Sequence, residues 1–166
     1  MKKLVLILTA FLVAGCSWLY PNKVESVEFY ANDGSLPPQY YSDVTMKIVP
    51  DYAQRTLTVD YSRTFPYRTN ETIEEDVKVE GAVLGGENFD KFSDVVDFVT
   101  SYEKEEAVEE DVPLVVGGGV FTTTVNGKKG KIYNVDMSYI TEDDVFADVR
   151  TFHLDLSKLL TENEQV

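Results

Sequence analysis

The stretch DVTMKIVPDYAQRTLTVDY, residues 43–61, decides the fold class. Val44, Met46 and Ile48 alternate with Thr45 and Lys47, and beyond Pro50 and Asp51 the alternation resumes at Leu57, Val59 and Tyr61. A period of two sends successive side chains to opposite faces of a strand, so each run reads as a strand with one buried and one wet face. Pro50 and Asp51 are the turn signal between them, and the two runs read as neighbours in an antiparallel hairpin.

The same pattern recurs on both sides. Val27 and Phe29 alternate with Glu28 and Tyr30 and stop at the turn sequence Asn32-Asp33-Gly34. Val77 and Val79 predict a short edge strand. Residues 115–125 and 131–137 flank Asn126-Gly127-Lys128-Lys129-Gly130, a hairpin turn with two glycines available for positive φ. Gly117-Gly118-Gly119 leads into that β-like stretch, where a phosphate cradle needs a helix amino terminus. The triplet therefore reads as a strand start, a bulge or a close backbone contact.

Two segments change to a helical period. Phe89, Phe92, Val95, Val96 and Val99 recur at three- and four-residue steps behind Asn88, a candidate amino-terminal cap. Thr141 and Asp144 resemble a capping box with Asp at the third helical position, ahead of an apolar stripe of Val145, Val149, Phe152, Leu156, Leu159 and Leu160. A strand through Phe152, Leu154 and Leu156 leaves Val145, Val149 and Leu159-Leu160 without a role, so helix is the better reading. The expected fold is α+β: an antiparallel β-sheet of about five strands with two helices packed on one face.

The segment ahead of the fold carries an address. Lys2 and Lys3 precede an apolar run over residues 4–13, then Ala14, Gly15 and Cys16, the only cysteine in the chain. This is the layout of a signal peptide, and the apolar run falls well short of the roughly 20 residues that span a bilayer. Val13-Ala14-Gly15-Cys16 resembles the bacterial lipobox, with Val where Leu is most usual. The resemblance covers residues 1–16. It implies removal of residues 1–15, a diacylglyceryl thioether on Cys16 and, in most members, a further acyl chain such as palmitate on the new amino terminus. At about 0.8 kcal/mol per buried methylene, two or three such chains anchor a protein permanently. Ser17, where Asp would signal inner-membrane retention, favours the periplasmic face of the outer membrane; in a cell with a single membrane the same sequence places the protein on its outer surface. Residues 16–23 then form a short tether, with Trp18 and Tyr20 either at headgroup level or packed on the domain, and residues 24–166 form one globular domain.

The chain has 15 basic and 29 acidic side chains, a net charge of −14; loss of residues 1–15 takes two lysines and leaves 13 against 29, or −16. Such a surface repels nucleic acid, and no nucleic-acid partner is expected. After lipidation no thiol remains to pair, so the hydrophobic core must hold the fold without disulfides.

No cofactor, no metal site and no catalytic residue are expected. Residues 103–111 are the densest acid in the chain, but no glycine folds that run around a cation, and it reads as a solvated helix end or linker. His153, the sole histidine, borders the second apolar stripe, and the sequence has no Gly-x-Ser-x-Gly elbow, no His-rich metal spacing and no cysteine nucleophile to go with it. It reads as a residue at the boundary of the core.

Surface loops are left to carry function. Leu36, Pro37, Tyr40 and Tyr41, with Pro38 and Gln39 between them, and Phe65, Tyr67 and Arg68, with Pro66, place aromatic rings beside proline in two predicted loops. Rigid Tyr, Phe and Arg groups there suit a contact with an envelope protein or glycan, or else cap the ends of the core. Lys128, Lys129 and Lys131 are the one basic cluster: they suit anionic headgroups or an acidic partner, and equally protect a hairpin from aggregation. The functional expectation is a membrane-anchored, non-enzymatic binding or accessory domain of the cell envelope. Its alternatives are a lipoprotein inhibitor of a secreted protease or cell-wall hydrolase, with a proline-rich loop inserted into its target, and an envelope hydrolase.

Overall fold

A computed structural model describes residues 22–34, 36–37, 40–67, 75–102, 119–138 and 144–162. Cys16, Trp18, Tyr20, Pro38, Gln39, Arg68, the acidic run 103–111, Gly117, Gly118 and Thr141 lie outside the described residues.

The elements run β1 (Val24–Asn32), β2 (Asp43–Asp51), β3 (Thr56–Thr64), β4 (Val77–Gly85), α1 (Glu87–Ser101), β5 (Val120–Gly127), β6 (Ile132–Asp136) and α2 (Ala147–Glu162). The strands form one six-stranded sheet in the order β4-β3-β2-β1-β5-β6, with every neighbouring pair antiparallel. The two helices cover one face, giving the expected α+β class with one strand more than the approximate count. β2 and β3 pair from Asp43↔Thr64 to Asp51↔Thr56, the hairpin read from the alternation. Asp51 organises its turn, its Oδ1 accepting from the backbone N–H groups of Ala53 (2.8 Å) and Gln54 (3.0 Å). Pro50 fits because the β1 ladder ends at Ile48, so its missing N–H interrupts no bond on that side.

The covered face carries Val27, Phe29, Met46, Ile48, Leu57, Val59, Tyr61 and Val125, all buried. Onto it pack Phe89, Phe92, Val95, Val96 and Val99 of α1 and Val149, Phe152, Leu156 and Leu160 of α2. Phe92 joins the helices through its ring 6.5 Å from that of Phe152. Lys91 adds ion pairs to Glu87 of its own helix (3.1 Å) and Asp155 of α2 (3.7 Å), exposed contacts of small energy.

The structure corrects several local expectations. β4 has nine residues rather than a short pair of valines. Glu80 and Gly81 bulge opposite Asp60, whose Oδ1 accepts from the Gly81 N–H at 2.8 Å. The extra residue shifts the phase, so Val77 and Val79 share the inner face with Ala82 and Leu84, and period-two reading loses the strand at the bulge. α1 is capped by Gly86, with Asn88 already inside the helix. Val145 precedes α2 and is 55% exposed, outside the stripe, and Leu159 is only half buried. Asp144 enters α2 differently from a capping-box acid: its carboxylate accepts from the Phe146 N–H at 3.2 Å and pairs with Arg150. In the β5–β6 turn positive φ belongs to Lys129 and Gly130, while Gly127 is extended. Gly119 fits the close-contact reading, since a Cβ there would meet the Asn32 carbonyl oxygen at 2.5 Å.

Candidate functional site

Antiparallel order gives the sheet two unlike ends. One end gathers the β1–β2 loop, the β3–β4 loop and the starts of β2, β4 and β5. The other gathers the first described residues, the β2–β3 turn and the β5–β6 hairpin tip, because Val24 pairs with Gly127.

The aromatic loops meet at the first end. The rings of Tyr41 and Tyr67 pack edge to face with centroids 5.6 Å apart. The Tyr41 hydroxyl donates to Asp43 Oδ1 at 3.1 Å, and Tyr30 from β1 donates to the same oxygen at 2.8 Å. Asn32 donates to the Tyr30 hydroxyl at 3.0 Å and accepts the Val120 N–H at 3.1 Å, tying β1 to the start of β5. Asp43, Tyr30 and Asn32 alternate with the buried positions of their strands, so the cluster stands on the face the helices leave open. Desolvation of the Tyr41 hydroxyl, reinforced by its hydrogen bond to Asp43 and by that carboxylate's charge, raises its pKa to about 12. Tyr41 therefore stays a neutral donor at ordinary pH.

Around this braced pair the surface is apolar and accessible: Tyr67 is 60% exposed, Tyr40 45% and Leu36 44%, and Pro37 is exposed. The backbone holds the loop through Leu36 N–H to Asp33 O (3.0 Å) and Tyr40 N–H to Pro37 O (2.9 Å). Phe65 is a correction. Its side chain is buried beneath the Arg63 guanidinium, 5.4 Å from the ring centroid, and its N–H donates to Asp76 at 3.0 Å. It belongs to the core, because it directly follows the end of β3 and turns inward there.

Lys128, Lys129 and Lys131 are exposed at the opposite end. Lys131 lies over the Tyr133 ring at 4.6 Å. Beside them the chain enters the fold: Val24 N–H donates to the Tyr52 hydroxyl at 2.8 Å, Lys23 lies over the Tyr52 ring at 5.4 Å, and Asn22 donates to Asp97 at 2.9 Å. Nine residues of β1 separate the two ends, about 26 Å at 3.3 Å per residue.

Sequence reasoning missed a second group at the tyrosine end, on the helix-covered side. A cleft of about 420 Å3 runs between α2 and the strand ends, with Tyr61, Arg63, Phe121, Arg150, His153 and Ser157 among its walls. Two signals pointed to it. Arg63 continues the inward series Leu57, Val59, Tyr61, which puts a guanidinium at the end of a buried row. Arg150, His153 and Ser157 stand at i, i+3 and i+7 on α2, a polar stripe beside the apolar one. His153 is 3% exposed, with the Phe29 ring 5.4 Å and the Phe121 ring 4.9 Å away, and burial lowers its pKa to about 4. Neither ring nitrogen has a hydrogen-bond partner among the described residues. The boundary position expected for His153 is thus a fully interior one.

Among the described residues no group of three or more His, Cys, Asp or Glu is placed to hold a metal ion, and no helix is long and apolar enough to cross a membrane. No protein-family model matches the chain, no curated protein matches its sequence, and no solved structure matches its fold. Fold and surface define an α+β sheet protein with a tyrosine-lined end and a lysine-tipped end.

Proposed function

We propose that this is a lipid-anchored lipoprotein of the cell envelope, attached through Cys16 and held at the periplasmic face of the outer membrane, whose domain is a non-enzymatic binding module. The observation that carries the proposal is the polarity of the sheet. The chain enters the fold beside Lys128, Lys129 and Lys131, so an anchor on Cys16 draws the basic end toward the headgroups and directs the tyrosine end outward. Each lysine near an anionic surface contributes about 1 kcal/mol within a Debye length, enough to bias the orientation of a domain already tethered. Tyr40, Tyr41, Tyr67 and Leu36 then present an apolar, rigidly braced surface to an envelope protein or glycan, with tyrosines of the kind enriched where partners bind.

Two experiments test the proposal. Cys16→Ser in the native host moves the protein from the membrane fraction to the soluble envelope fraction without detergent; unchanged fractionation removes the anchor. Separately, a photo-crosslinking residue at position 67 captures a specific envelope component that the same residue at position 129 does not, and Tyr40→Ala with Tyr41→Ala lowers that yield about ten-fold while the thermal transition stays cooperative. Equal capture at both ends would remove the binding role of the tyrosine surface and leave the anchor standing.

A further inference from the structure

The face of the sheet that the helices leave open is not flat. A concavity of about 500 Å3 lies across β1 to β5, walled by outward side chains. The ladders line these up across the strands: Thr122 stands opposite Tyr30, Tyr30 opposite Thr45, Thr45 opposite Ser62, and Ser62 opposite Lys78. With neighbouring strands about 4.8 Å apart, the row runs roughly 19 Å straight across the sheet. Thr122, Thr45 and Ser62 supply hydroxyls, each able to donate and to accept. Tyr30 has its own hydroxyl engaged by Asp43 and Asn32, so what it adds to the row is ring surface. Through Asp43 the row joins the braced pair of Tyr41 and Tyr67, since the Tyr30 and Tyr41 hydroxyls share its Oδ1.

Both lysines of the concavity face carboxylates, Lys47 at 3.6 Å from Glu28 and Lys78 at 2.7 Å from Glu80, and Asp60 adds a further acid. Acid therefore exceeds base on this face, and an anionic chain is repelled. A protein is a poor match as well, because charged residues and serine are depleted from the cores of protein interfaces. β1, β2, β3 and β5 each have a strand on both sides, so their main chain offers an extended peptide nothing to pair with. What fits is a ligand that is itself uncharged, hydroxylated and long enough to follow the row. A pyranose has hydroxyls around its edge and weakly positive C–H groups on its faces, which suit the electronegative face of a tyrosine ring. We propose that the open face binds an extended, uncharged polysaccharide strand of the envelope. Sugar hydroxyls meet Thr122, Thr45 and Ser62, and sugar faces lie on Tyr30 and Tyr67. This rests on the tyrosine end being a binding surface, and it names the class of ligand.

The test titrates chitotetraose and cellotetraose into the intact chain, in a detergent without a sugar headgroup. At least one of them binds saturably with Kd below about 1 mM, and tetragalacturonate, which is anionic, binds at least about ten-fold more weakly. Thr45→Val with Thr122→Val keeps the β-branched shape, removes two hydroxyls and lowers the affinity about five-fold while the thermal transition stays in place. Tyr67→Ala, at an exposed ring beyond the end of β3, has a similar effect and carries the test should the double variant not fold. No saturable binding of either sugar up to about 5 mM overturns the proposal. Equal affinity for tetragalacturonate, tighter binding of tetralysine, or an affinity unmoved by both variants does so too. A crosslinking residue at position 67 that captures a protein while neither sugar binds removes the glycan and keeps the binding surface, whereas equal capture at positions 67 and 129 with no sugar bound removes both.

Discussion

Phe29→Ala lowers the unfolding free energy by about 3–5 kcal/mol, the largest loss expected from any single truncation in the sheet. Phe29 is 2% exposed on β1, the strand with β2 on one side and β5 on the other. Its ring lies 6.3 Å from Phe121 of β5, 6.3 Å from Phe152 of α2 and 5.4 Å from His153. One side chain thus joins β5, the final helix and the inner wall of the cleft. Its removal loses the transfer free energy of a ring and leaves a cavity that rigid aromatic neighbours close poorly. For a domain of this size the loss corresponds to a fall in melting temperature of about 10 °C or more. Val83→Ala is the matched control, since Val83 is 67% exposed on the edge strand and its truncation changes stability by less than about 0.5 kcal/mol. Urea denaturation with unchanged slope resolves the two. A loss below about 1 kcal/mol for Phe29→Ala would show that the sheet and α2 are not held together here.

The distance between these two residues in effect is visible in the sequence only for one of them. Phe29 sits in clean alternation with Glu28 and Tyr30, and wherever that alternation is unbroken, as along β2, β3 and the middle of β1, strand, face and burial follow from the period alone. Bulges defeat it. Glu25 between Val24 and Ser26 shifts the β1–β5 register, and Glu80-Gly81 does the same in β4, so the inward faces of both strands change phase at places marked only by an ordinary acid or a glycine. Helix ends are equally poorly marked: Asn88 has the right side chain for a cap, yet the turn out of β4 places Gly86 there. At the candidate site, the proximity of Pro and Tyr in two loops was legible, but not that Tyr41 and Tyr67 touch or that Phe65 turns inward, since these depend on how β2 and β3 align. The cleft draws its walls from β1, β2, β3, β5 and α2 together, so only fragments of it, the inward Arg63 and the stripe of Arg150, His153 and Ser157, are present in any one segment.

Acidification from pH 7 to pH 4 costs the wild-type domain about 3 kcal/mol more stability than it costs His153→Met. Burial lowers the His153 pKa from 6.5 to about 4, because the interior between Phe29 and Phe121 solvates an imidazolium poorly. The unfolded chain therefore binds a proton near pH 6.5 that the folded chain refuses until about pH 4. The stability tied to a neutral His153 is fully present above about pH 6.5, declines as pH falls below it, and is gone once pH passes the folded value. The interval of about 2.5 pH units at 1.36 kcal/mol per unit sets the size of the effect. Arg63, Arg150 and Asp33 are the charged groups that line the cleft, and desolvation by burial is the cause of the shift. The many other carboxylates of this acidic chain also titrate toward pH 4, and their effects on repulsion and ion pairing are common to both proteins and cancel in the difference. Methionine fills a comparable volume with a flexible unbranched chain, so the variant keeps the packing while removing the proton. Urea denaturation of both proteins at pH 7, 5.5 and 4 gives curves that diverge below about pH 6.5; parallel curves would place the imidazole in water and empty the cleft of its buried polar wall.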